Sequence, residues 1–225
     1  MAFEATEIAR LFPAFLTDTE KERITQGLNQ FDNPLATSPR LYTDFYMPQG
    51  LGYLLQGDLL PSVRLPVWQA KEGIFTKGYS NALLIANTCD VDVTGNVRNI
   101  SKEVGFVQLI PFDLYREQLT YRLAQEFSQQ TVQSKMRSLE SELRNQLITN
   151  VFYLPAVPGG LSEQVALLDR PFWFPASELK QVGEALRTDR LASLSIWGYY
   201  LFILKLSYHL CRLPEERDYR GQPSA

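Results

Sequence analysis

The apolar run Ala82-Leu-Leu-Ile-Ala86 ends without a spacer in Asn87-Thr88-Cys89-Asp90-Val91-Asp92. A short, continuous apolar run bounded by polar residues has the length of a strand buried on both faces. The reading is a central strand over residues 81–88, with the polar residues forming the lip of a site and then a turn. Nowhere else does an apolar run deliver so many groups able to bind or react.

Flanking segments extend the sheet. Gly57-Asp58-Leu-Leu-Pro-Ser-Val-Arg-Leu-Pro-Val-Trp68 reads as a strand, but Pro61 and Pro66 cannot donate to a ladder, so it must lie on an edge or contain a bulge. Val104–Ile110, Val151–Pro155 and Gln164–Leu168 are three further strands. Between the third and fourth, Leu119, Leu123, Phe127, Val132, Met136, Leu139, Leu143 and Leu147 keep helical spacing after a capping Asp113. A helix over 113–149 is long for a globular protein, so it either projects or breaks near residues 128–131 into a hairpin. Residues 8–31 carry helical spacing interrupted at Pro13, with a capping box at Thr17-Asp-Thr-Glu20. Residues 32–52 form a loop packed down by its aromatics, and residues 177–213 read as helix. Division of the chain follows: 1–52 a helical cap and loop, 53–213 the main domain with the insertion, 214–225 a polar tail.

With 225 residues, 45% of them hydrophobic, the chain can bury a sizeable core. A net charge of -3 gives no overall attraction to phosphate, which argues against a nucleic-acid partner. The two cysteines, Cys89 and Cys211, are too few for a disulfide scaffold, and the opening residues lack an apolar signal segment; a reduced, cytoplasmic protein is expected. The stretch Leu191–Leu204 is apolar, but its fourteen residues fall short of the about 20 that span a bilayer. It reads as a buried terminal helix, so no membrane contact is expected.

Gly57-Asp58 opening a first strand, Ala82-Leu-Leu-Ile-Ala-Asn87 in a second and Val107-Gln-Leu-Ile-Pro111 in a third resemble the SH3-like barrel of the PemK/MazF toxins. The resemblance covers about a quarter of the chain. It agrees with the pattern of five short strands, one helical insertion and helical ends, which points to an α+β fold: a small SH3-like β-barrel with an inserted long helix or helical hairpin and helical N- and C-terminal segments. It also implies an endoribonuclease that uses an arginine between the first two strands and a hydroxyl residue after the third. Here Arg64 falls inside the first strand, and the third ends in Pro111-Phe112-Asp113 with no Ser or Thr. Thr88-Cys89-Asp90, Phe152-Tyr153-Leu154-Pro155 and Arg190-Leu-Ala-Ser-Leu-Ser195 are in turn similar to a loosely defined set of bacterial proteins. That likeness suggests a defence or toxin–antitoxin context.

Candidate catalytic residues are Arg64, Thr88, Cys89 and Asp90. Arg64, Lys71 or Lys77 would offset phosphate charge, and Thr88 or Asp90 would move a proton. Cys89 as a nucleophile needs a base, and His209 is the one histidine. The bland reading is a small buried hydrophobe at a strand end. Asp90-x-Asp92-x-Thr94-Gly95 matches the first half of a calcium loop, but Ser101 stands where the bidentate glutamate belongs, so no metal or other cofactor is expected. Neither a phosphate-binding glycine loop nor a nucleophile elbow occurs. Binding candidates are Asn87 and Asp92 on the rim, and Val132, Met136, Leu139 and Leu143 along the inserted helix. That seam is buried by its own return arm, or by another chain or a second copy. The expectation is a non-catalytic protein-interaction module, an accessory subunit of a bacterial assembly, with a PemK/MazF-like endoribonuclease or other hydrolase as the alternative.

Overall fold

The computed structural model describes residues 17–19, 21–22, 42–48, 53–91, 103–157, 159–179 and 189–211. Among the described residues, seven antiparallel strands form one sheet: β1 (Tyr46–Met47), β2 (Asp58–Gln69), β3 (Ile74–Leu84), β4 (Glu103–Pro111), β5 (Val151–Leu154), β6 (Gln164–Pro175) and β7 (Ala192–Leu194), in the order β1-β7-β2-β3-β4-β6-β5. A helical turn, α1 (Thr88–Val91), follows β3. Three longer helices are α2 (Phe112–Ala124), α3 (Gln129–Arg144) and α4 (Ile196–Cys211). The architecture is mixed α+β.

Where sequence pattern predicts an SH3-like barrel, the sheet is open: no ladder joins its outer strands β1 and β5. Two of its seven strands come from segments read otherwise. β1 arises in the aromatic loop, where Phe45 is 2% exposed and the Tyr46 hydroxyl donates to the Pro155 carbonyl at 2.7 Å. β7 lies in a stretch expected to be helical. Its three residues pair with β1 and with Asp58 and Leu59 only, too few for any periodicity to register.

The apolar run belongs to a strand covered on both faces. Leu59, Leu83, Val107 and Leu109 pack with Trp197, Leu201 and Phe202 of α4 on one side. Leu60, Ala82, Leu84, Val104 and Phe106 pack with Leu54, Val91 and Phe172 on the other. Double coverage explains a continuous rather than alternating pattern. β3 ends at Leu84, however, so Thr88 sits in α1 instead of ending the strand.

Both proline expectations are met. The β2–β3 register shifts between Leu60 and Val63, where Pro61 and Ser62 bulge and Ser62 takes a φ of 49°. Beyond Leu59 the outer side of β2 has no partner strand among the described residues, so Pro66 sits on a free edge. β3 likewise pairs with β4 only from Ala82 onward. Residues 64–79 therefore project as a two-stranded arm, closed by a turn in which Gly73 has a φ of 67°.

The inserted helix is a hairpin, its break falling at residues 125–128. It covers the β5–β6 end, where Phe112 and Leu143 pack on Val151, Tyr153, Val165 and Leu167. Arg116 ties the two arms together through Glu140 at 3.8 Å. On α4, Gly198 permits a close crossing over the chain before β1: a Cβ there would lie 2.5 Å from the Phe45 carbonyl oxygen. No helix among the described residues is long and apolar enough to cross a membrane. The N-terminal helical expectation and the polar tail lie almost wholly outside the described residues.

Candidate functional site

The sequence-predicted rim is only partly described. Asn87 is exposed, and the Thr88 hydroxyl accepts the Gln56 backbone N–H at 3.0 Å. Gln56 then reaches the Ile85 carbonyl at 2.7 Å and receives the Tyr199 hydroxyl at 3.0 Å, so Thr88 belongs to a staple between the β2 entry, the β3 exit and α4. The Cys89 and Asp90 side chains and all of Asp92 lie outside the described residues, as does most of the calcium-loop match. Among the described residues no group of three metal-ligating side chains is placed to hold an ion.

Arg64 sits on β2, and the Cys89, Asp90 and Asp92 side chains it would have to meet lie outside the described residues. Its guanidinium carbon lies 5.5 Å from the centre of the Phe174 ring, and its backbone pairs with Tyr79. From Tyr79 to Leu84 the strand covers roughly 17 Å, with Thr88 beyond it. Lys77 projects from the exposed arm.

The inserted helix is amphipathic in two senses. Val132, Met136 and Leu143 are buried at 6%, 7% and 2% exposure, and Leu139 is half-buried, so the predicted seam is covered by its own return arm and the sheet. α2 also carries a second, outward stripe. Leu114 (45% exposed) and Tyr121 (71% exposed) stand two turns apart and, with Glu117, Gln118 and Arg122, line a shallow concavity of about 400 Å³.

Two polar clusters escape sequence reasoning. In the first, Arg144 donates to both carboxylate oxygens of Glu163, one of them at 2.8 Å, and to the Tyr153 hydroxyl at 2.5 Å, while that hydroxyl donates to Glu163. The Arg144 bonds hold the Glu163 carboxyl below its usual range, and burial pushes the Tyr153 phenol up. Next to it, buried Gln146 occupies the left-handed region at φ 61°. Its side chain donates to the Tyr153 carbonyl at 2.7 Å and accepts the Tyr153 N–H at 3.1 Å, capping the outer edge of β5. The Lys205 ammonium, buried in α4, donates to the Gln146 carbonyl; burial lowers its pKa to about 8.

In the second cluster, Asp58 and Arg190 form an ion pair at 3.1 Å with side chains 0% and 5% exposed. Asp58 accepts the Leu55 N–H at 2.8 Å, and Arg190 donates to the Tyr53 carbonyl at 2.8 Å and to the Ser193 hydroxyl at 3.3 Å. Burial raises the Asp58 pKa despite these partners. The Asp58–Arg190 pair is buried, whereas Arg144 and Glu163 are 42% and 32% exposed; in each cluster the carboxylate faces an arginine, and the pairs join separate segments of the chain. For Asp58 and Lys205 the signal was a lone charge inside an apolar strand or helix.

Comparison with protein-family models, characterised proteins and solved structures finds no match to this chain.

Proposed function

We propose that the protein is a non-catalytic protein-interaction module, an accessory subunit of a bacterial assembly that takes a helix of another chain along the outward face of α2. The observation that carries this reading is the exposed Leu114–Tyr121 stripe. Seven residues separate the two side chains, so they share one helix face, and Glu117 and Arg122 stand beside them as an acid and a base. An apolar centre with a charged rim is the anatomy of a protein interface, and helix-on-helix docking uses anchors at this spacing. The inner seam is already occupied, which leaves the outer stripe as the available face of the insertion. Hydrolytic chemistry of the PemK/MazF kind, the alternative, would need Arg64 beside a hydroxyl or carboxyl group; its guanidinium lies over Phe174, and the Asp90 side chain lies outside the described residues.

The test is affinity purification of the full chain from its host beside the variant Leu114→Ser/Tyr121→Ser. A stoichiometric partner protein is expected with the unaltered chain, its affinity at least about thirtyfold weaker for the variant, as for loss of anchoring residues. Equal retention of the partner by a variant that unfolds like the unaltered protein would refute the assignment.

A further inference from the structure

The projecting arm is a separate surface. In an antiparallel ladder, residues directly opposite each other share a face. Trp68 with Phe75, Pro66 with Lys77 and Arg64 with Tyr79 therefore form one face of the arm, and Gln69 with Ile74, Val67 with Thr76 and Leu65 with Gly78 form the other. On the first face Trp68, Phe75 and Tyr79 are 53%, 69% and 65% exposed, with the Trp68 and Phe75 rings 5.0 Å apart. On the second, Ile74 is half exposed at the same distal end. A ribbon only two strands wide thus shows apolar groups on both sides near its tip. A flat protein surface or a row of stacked bases would cover one side and leave the other in water, whereas an interfacial lipid layer surrounds both.

Composition points the same way. Trp, Tyr and Phe with neighbouring Lys are the side chains that settle at the headgroup level, and the arm carries Arg64, Lys71 and Lys77 against Glu72. We propose that the β2–β3 arm docks on an anionic lipid surface, with Trp68, Ile74 and Phe75 entering the headgroup boundary and Lys71 and Lys77 facing lipid phosphates. Entry stays shallow, because along residues 65–78 neither edge of the ribbon pairs with a further strand among the described residues, and backbone groups outside a ladder are not satisfied by hydrocarbon. Contact of this kind needs no spanning segment, and it uses a surface distinct from the α2 stripe.

Flotation of the full chain with phosphatidylcholine vesicles, with and without phosphatidylglycerol, tests this. Recovery is expected only with the anionic vesicles at low ionic strength, together with a blue shift of tryptophan emission that Trp68→Phe removes. Lys71→Glu/Lys77→Glu is expected to weaken partition on the order of a hundredfold. Phe75→Ser/Tyr79→Ser is expected to weaken it while leaving the unfolding transition in place. Leu114→Ser/Tyr121→Ser should float like the unaltered chain, which separates this test from that of the α2 face. Failure to float with anionic vesicles, flotation indifferent to the arm substitutions, or arm-dependent binding of a single-stranded oligonucleotide with vesicles inert would each overturn the proposal.

Discussion

Replacing Arg190 by methionine removes one member of a buried ion pair and leaves the other. Asp58 is wholly buried, and its surviving contacts would be the Leu55 N–H and the Ser193 hydroxyl. Breaking a buried pair from one side costs about 3–5 kcal/mol, because an uncompensated charge remains in a medium of low dielectric. The same change removes the Arg190 bond to the Tyr53 carbonyl, which ties the entry of β2 to β7. For a chain of this length such a loss lowers the melting temperature by roughly 6–20 °C. Urea unfolding followed by tryptophan emission gives the free energy directly, since Trp197 is buried in the core that would come apart. Acid gives an independent check. The Asp58 pKa is already raised in the fold, so its contribution to stability is present at low pH and is lost as pH climbs through the raised value. Without Arg190 that value rises further. The deficit of Arg190→Met should therefore shrink as pH falls below neutrality, as Asp58 takes up a proton and no longer needs a cation. Asp58→Asn in the same chain should recover part of the loss at neutral pH. A deficit under about 1 kcal/mol, or one that does not change with pH, would refute the reasoning.

Lys205 titrates with the opposite sign. Its pKa falls from 10.5 to about 8 on folding, so the unfolded chain binds more protons in that window, and stability should rise by about 3 kcal/mol from pH 8 towards 10.5. Burial raises the phenols of Tyr42, Tyr46 and Tyr153 and works against this gain above about pH 10, so the rise is best measured by urea unfolding below that point; Lys205→Met should flatten it. Gln146→Ala should cost about 2–4 kcal/mol, because it strips two bonds from the Tyr153 backbone. Hydrogen exchange at the Tyr153 amide should quicken in parallel, and an amide as protected as before would refute the edge-cap role.

Much of the sheet was legible because burial writes itself into local pattern. Ala82–Leu84 read as a central strand since both of its faces are covered, and Pro61 marked the bulge since proline has no N–H to give. The strands that escaped are those whose reasons are remote. β7 has three residues, and β1 two, so neither spans a period of anything. The start of β3 was missed for another reason. Ile74–Tyr79 pairs with β2 alone among the described residues, and its residues are exposed or half-buried, so it lacks the apolar density that announces a buried strand. Open closure of the sheet was not legible either, because it depends on which edges meet rather than on the character of any one strand. The polar clusters depend on meetings across the chain: Asp58 lies 132 positions before Arg190, and Arg144 lies 19 before Glu163. Asp58 was conspicuous as a charge opening an apolar strand, but its partner was not readable from spacing, and Arg144 and Glu163 stand in polar stretches that carry no such signal.

Thr88, a candidate from sequence, and Asp58, Arg190 and Lys205, which were not, are engaged inside the protein, where they join separate segments of the chain. Large apolar residues that core formation would normally claim, Trp68, Phe75, Tyr79 and Tyr121, are exposed, the first three on the β2–β3 arm and the last on the outer face of α2. Holding such surfaces out forgoes burial energy of about 25 cal/mol per Å² for each chain in isolation. A catalytic site would concentrate polar groups in a concavity and protect them from water, whereas a docking surface concentrates apolar groups where another body can reach them. The exposed apolar groups of the arm are what the proposed docking would use: among the described residues, β2 has no partner strand on its outer side beyond Leu59, and β3 pairs with β4 only from Ala82 onward.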